Sequence, residues 1–146
     1  MNLRSLFVAA ALVSPSLAAA VPSVVGGADR GDATVSGNLV QTATGASGRW
    51  MMVLRPTVPD SDILAAVCSY RIFYNFSVVG NVVSFDARGS CTYLDEGGAL
   101  PTVQVANHFT ITDLGAGPDI IDVNTYGPGP AVPGGFVSFG DFTVTP

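Results

Sequence analysis

Lysine is absent from this sequence of 146 residues, and glutamate and histidine each occur once. Charged residues make up only 12% of the chain, and there are two cysteines. Without lysine there is no Schiff-base chemistry and no phosphate-loop lysine. One histidine and two cysteines cannot build a closed zinc site of four nitrogen and sulfur ligands. The scarcity of lysine and glutamate also removes two strong helix formers. Valine, threonine and phenylalanine are frequent instead, and these suit pleated sheets.

Long apolar runs are missing too, apart from one short stretch at the start. Arg4, then Leu6 to Val13, then the Ser14-Pro15 break and the small residues Ala18-Ala19-Ala20 read as a secretory signal peptide over 1–20, cleaved before Val21. The run is too short to span a bilayer as a helix. The expected product is secreted, or at least extracytoplasmic, with no integral membrane span. Loss of Arg4 leaves five arginines against eleven acids, a net charge of −6. That balance repels nucleic acid backbones and anionic lipid. Extracellular protein or glycan remain as partner classes.

What is present is strand grammar. Val21 to Asp32, with Gly26-Gly27 and Gly31, has little periodicity and reads as a flexible N-terminal arm. From 33 to 146 apolar runs alternate with turn clusters: Thr34–Thr42, Arg49–Leu54, Val67–Val79, Val82–Tyr93, Val103–Thr112, Ile120–Tyr126 and Phe136–Val144. Tyr70, Ile72, Tyr74, Phe76 and Val78 are expected to share one face, against Ser69, Arg71, Asn75 and Ser77 on the other. Val83, Phe85 and Ala87 oppose Ser84, Asp86 and Arg88 in the same way. Half-buried strands of this kind, about seven in an immunoglobulin-sized length, predict an all-β antiparallel two-sheet sandwich. Strands mostly too short to cross at a tilt, and a proline-rich loop, argue against an outer-membrane barrel. Gly80-Asn81 is a two-residue hairpin signal. Pro56 to Ala66 has helical character, with Asp60 or Ser61 as a cap. Tyr126 to Gly135, rich in Gly and Pro, reads as a surface loop.

Export favours a disulfide between Cys68 and Cys91, with two free thiols as the alternative. Counting back from the Gly80-Asn81 turn sets Cys68 opposite Tyr93 and Tyr70 opposite Cys91. The cysteines are then diagonal, too far apart for an unstrained bridge. A bridge therefore requires a register shift, at Gly89 or through a longer turn.

Other residues are weighed singly. His108, the sole histidine, would have to be any general base of a hydrolase, yet no nucleophile elbow lies near it in sequence. Asp113, Asp119 and Asp122 flank a Gly-rich turn and are the candidate calcium ligands, with Asp60 and Asp62 in another loop. Aspartate is also the ordinary turn residue, and that explanation is preferred. Arg30-Gly31-Asp32 is an RGD tripeptide without a hairpin to display it. Asn75-Phe76-Ser77 is a glycosylation sequon within a predicted strand. Trp50, Phe73, Tyr93 and Tyr126 are candidate exposed aromatics, Trp50 being better placed in the core.

Two segments carry a family resemblance. Val78 to Ser90 runs through the Gly80-Asn81 turn into an alternating strand that ends at Gly89. Phe109 to Gly115 ends in an Asp-x-Gly turn, followed by Gly117 and Asp119. Together they resemble the C-terminal half of exported bacterial β-modules of the post-COAP type, found beside choice-of-anchor surface domains. The turn is shorter here and lacks the usual Glu-Pro, and Ile121 stands where the family tends to have an aromatic. The resemblance implies an exported β-module and carries over no catalytic residue. The expected function is non-catalytic binding or a structural role at the cell surface, with a small secreted hydrolase as the alternative. No cofactor is expected beyond the candidate calcium.

Overall fold

The computed structural model describes residues 19–55, 62–126, 132–137 and 139–146. Most of the signal segment, the Asp60 and Ser61 cap and residues 127–131 of the expected loop lie outside them. Among the described residues every regular element is a strand: β1 (Ser23–Asp29), β2 (Ala33–Thr42), β3 (Gly45–Leu54), β4 (Ile63–Val79), β5 (Val82–Asp95), β6 (Gly98–Ala99), β7 (Val103–Thr112), β8 (Ile120–Thr125), β9 (Val132–Phe136) and β10 (Phe139–Thr145). All pairings are antiparallel, as expected, and Gly80-Asn81 forms the predicted tight turn, with Val79 facing Val82.

The strands do not divide into two sheets. They form one ladder in the order β10-β1-β2-β3-β4-β5-β7-β8-β9, with the short β6 on β5. Its two ends, β9 and β10, are consecutive pieces of one chain segment. β9 pairs with β8, and β10 pairs with β1. The sheet therefore rolls round and closes on itself.

Side-chain distances show the same curvature. Trp50 on β3 stacks on Phe142 of β10 at 5.7 Å and meets Phe109 of β7 edge-on at 5.8 Å. Each of those strands lies three ladder steps from β3, about 14 Å in a flat sheet. Alternation gives one apolar face whether a sheet stacks on another or curls, so the sequence pattern fits both. The barrel interior is filled by aromatics: Phe85 contacts Trp50 at 5.0 Å and Phe109 at 5.2 Å. Barrels of about eight strands are just wide enough for side chains to fill. Gly37 makes room for the indole, since a Cβ there would lie 2.4 Å from Trp50 Cε3. One polar chain crosses this core: the Tyr70 hydroxyl donates to Asn107 Oδ1 at 2.7 Å, and Asn107 Nδ2 donates to Thr125 Oγ1 at 3.0 Å. Burial pushes the Tyr70 phenol well above its ordinary range.

Three expectations change. The N-terminal arm contains β1, clamped between β2 and β10; its glycines hide the alternation, and partners on both sides supply the order. Ile63 to Ala66, expected to be helical, begins β4, because the neighbouring β3 and β5 offer ladder partners along it. Val132 to Gly135 is strand, not loop. Ile121 pairs with Gly135 and Val123 with Val132, so β9 holds an extra residue where Pro133 and Gly134 sit, and a bulge tolerates a missing donor.

Candidate functional site

The disulfide forms, and the register explains how. Near the turn Ser77 pairs with Ser84; after one shift Tyr74 pairs with Asp86; after a second, Tyr70 pairs with Gly89 and Cys68 with Cys91. Each shift places one extra residue on β4. Two shifts restore the face and move Cys68 from Tyr93 to Cys91. Gly89 is needed at the second, since a Cβ there would lie 2.1 Å from the Ser69 carbonyl oxygen. Between the shifts the phase inverts. Ile72 points outward, 61% exposed, and Phe73 is buried, the reverse of the expected faces. Phe73 is thus no surface aromatic. Trp50 is wholly buried, Tyr93 half-buried and Tyr126 exposed.

The same β4 irregularity builds the main polar cluster on the outer wall. His108 of β7 sits directly across from Asp86 of β5, and its Nδ1 lies 2.7 Å from Asp86 Oδ1. Asn75 reaches over from β4, its Nδ2 donating to Asp86 Oδ2 at 2.6 Å. Asn75 has φ 51, a left-handed conformation that asparagine tolerates better than most residues. Tyr126 also stands beside Asp86, and its ring meets His108 edge-on at 6.3 Å. Burial alone would raise the Asp86 pKa. The hydrogen bonds from Asn75 and His108, with the His108 charge, outweigh it and hold the carboxyl below its usual range. Burial and the Asp86 charge raise the Tyr126 phenol.

A carboxylate on Nδ1 is the arrangement that orients a general-base imidazole. On its far side, His108 Nε2 lies 3.4 Å from Thr110 Oγ1, a long contact. Thr110 sits mid-strand between Ser84 and Asp122, not on the sharp turn that presents a serine nucleophile. The sequence had offered His108 alone. Asp86 was legible on the polar face of its strand, but the register that brings the two together depends on the long connection between β5 and β7.

The calcium candidates are arranged otherwise than as a cage. Asp113 accepts from the Gly115 N–H at 2.8 Å and from the Val144 N–H at 3.0 Å. Asp119, only 1% exposed, accepts from the Leu114 N–H at 2.9 Å and the Phe142 N–H at 2.7 Å. Both carboxylates thus fasten the β7–β8 turn to β10, across the barrel seam. Asp141 stands beside them. Burial and the charges of Asp119 and Asp113 raise its pKa. Asp122 lies on β8, opposite Thr110. Among the described residues no three His, Cys, Asp or Glu side chains are grouped to hold a metal ion. Asp62 lines an open hollow with Asp95 and Glu96.

The RGD tripeptide does lie in a hairpin, the β1–β2 turn, but that turn is clamped. Arg30 pairs with Asp32 at 3.0 Å and reaches the Ile121 carbonyl at 3.4 Å, with its side chain only 10% exposed. Arg55 donates to the Gly31 carbonyl at 3.2 Å and to Asp29 at 3.3 Å. The arginine faces the barrel seam. In the sequon Asn75 and Ser77 are exposed while Phe76 is buried. No family model matches the chain, and comparison with curated proteins and with solved structures gives no match either.

Proposed function

We propose that the chain is an exported, non-catalytic β-barrel module that acts by binding, or as a structural element, outside the cytoplasm. The observation that carries this is the filled interior. Trp50, Phe85, Phe109 and Phe142 occupy the space where a barrel of this size would hold a ligand, so recognition falls to the outer wall. The Cys68–Cys91 bridge supports an oxidising compartment. No helix of the described residues is long and apolar enough to cross a membrane. The largest buried side chains, Trp50, Tyr70, Phe85, Phe109 and Phe142, fill the inside of the barrel, and its wall exposes single apolar side chains such as Ile72, Val79 and Phe139. The likeness of the Gly80-Asn81 hairpin and the Asp113-x-Gly115 turn to post-COAP modules points the same way.

The test is a glycan array and a pull-down from the extracellular fraction, using the chain from Val21 onward. A saturable hit supports binding, and stable incorporation into a surface fraction supports a structural role. Recovery of the protein only from the cytoplasm, with both thiols free, would overturn the proposal. The Asp86–His108–Thr110 line favours a second reading, a small secreted hydrolase. It requires turnover of a chromogenic ester that is lost in His108→Ala.

A further inference from the structure

We infer that the outer wall of β3, β4 and β5 carries a binding groove for an acidic oligosaccharide, centred on Arg49, Arg71 and Arg88. This rests on the proposal that the module binds and names the ligand class. The three arginines lie on neighbouring strands. Trp50 pairs with Tyr70, which brings Arg49 and Arg71 alongside each other at the β3–β4 irregularity. Arg71 is the extra residue of the second β4 shift, next to the Ile72–Arg88 pair. One strand step is about 4.8 Å, so the row spans about 10 Å. All three side chains are exposed.

Charge makes this row unusual. The mature chain has five arginines against eleven acids. Arg30 and Arg55 are paired with Asp32 and Asp29. The other three have no acidic partner among the described residues; Arg88 alone has a neighbour of another kind, the Tyr74 ring, 5.4 Å from its guanidinium carbon. Like charges side by side across strands oppose pairing. An acidic protein that places its unpaired cations in one row gains nothing in stability from doing so. The net charge repels polyanions from most of the surface, and this row is the exception.

The shape suits a chain-like ligand. Two clefts of about 370 and 290 Å³ adjoin here and share Ser69 and Arg71. Ser90 and Gln104 extend the second toward β7. Guanidinium forks bind carboxylate or sulfate in two-pronged fashion, and hydroxyl and amide groups between them match sugar hydroxyls. The exposed large apolar side chains lining the two clefts are Met51 and Ile72, which gives little anchorage for a peptide.

Calorimetric titration of the mature protein tests the site. The probes are a galacturonate tetrasaccharide, a sulfated tetrasaccharide, neutral cellotetraose and poly-L-glutamate. One or both acidic sugars should bind, with carboxylate and sulfate distinguished by the two arms. Affinity should fall about tenfold or more in Arg71→Gln, as one charge-assisted contact is lost, and should fall with added salt. The double variant Arg49→Gln/Arg71→Gln should melt no lower than the parent, which separates loss of binding from loss of fold. The inference is overturned if neither acidic sugar binds, if the variants bind unchanged, or if poly-L-glutamate is preferred. A neutral-glycan hit elsewhere on the wall would leave the binding module standing and remove this groove.

Discussion

Asp86 carries most of the polar organisation of the outer wall, through Asn75, His108 and Tyr126. Its carboxyl is held below the ordinary range, so the folded state prefers the ionised form. The stability it adds is fully present above the unfolded value of about 3.9, and is lost as pH falls through the lower folded value. Asp86→Ala should destabilise by about 1–3 kcal/mol at neutral pH, because the Asn75 amide and the His108 ring are left without their acceptor. Urea melts at neutral pH and at pH 2 check both the size and the sign, since the gap between variant and parent should narrow in acid. The members of this cluster were legible one at a time. Asp86 fell on a polar face and His108 stood out as the sole histidine, but their pairing was not legible, because Glu96 to Thr102 separates β5 from β7 by more than a turn of known register. The partner Asn75 was hidden for another reason. Its left-handed backbone coincides with the extra residue that β4 carries there, which alternation alone does not reveal.

At the scale of elements, β4 is where local pattern and final structure part company. Of its three register shifts against β5, the two near Arg71 and near Asn75 invert the phase and then restore it. Strict alternation assigned Ile72 inward and Phe73 outward, and both are reversed. The requirement that a bridge needs a register shift was legible from Cys68, Cys91 and the Gly80-Asn81 turn. The position of Gly89 was legible too, though it sits opposite the bulge and does not supply the extra residue. Cys68→Ala/Cys91→Ala should lower stability by roughly 3 kcal/mol in the chain-entropy picture, measured by chemical denaturation. Reducing agent should shift the parent toward the variant and leave the variant unchanged. The arginine row occupies the same disturbed stretch: Arg71 stands out from the wall because it is the residue that the ladder has no partner for. Bulges re-aim side chains in this way.

For the whole molecule, six of the seven expected strands are present, the seventh, Phe136–Val144, is divided between the end of β9 and β10, and the closure was not legible. Nothing in the alternation of β3, β5 or β7 states whether the apolar faces meet across two layers or around one interior. The decision lies in β1, β9 and β10, the strands through which the two ends of the ladder meet. β1 and β9 each carry two glycines and take their order from their partners more than from their own propensities. Deleting 139–146 removes β10, Phe142 and the N–H groups that Asp113 and Asp119 bind. The shortened chain should lose the near-ultraviolet dichroism of Trp50 and bind a hydrophobic dye, as a barrel with an open seam exposes its core. A consequence for biogenesis follows from the pairing of β1 with β10. The first strand of the barrel waits for the last, so the wall stays unsealed for as long as β10 has yet to emerge. On the proposed export of the chain, passage N-terminus first would leave the barrel unsealed until β10 had crossed, and the two thiols would then meet an oxidant.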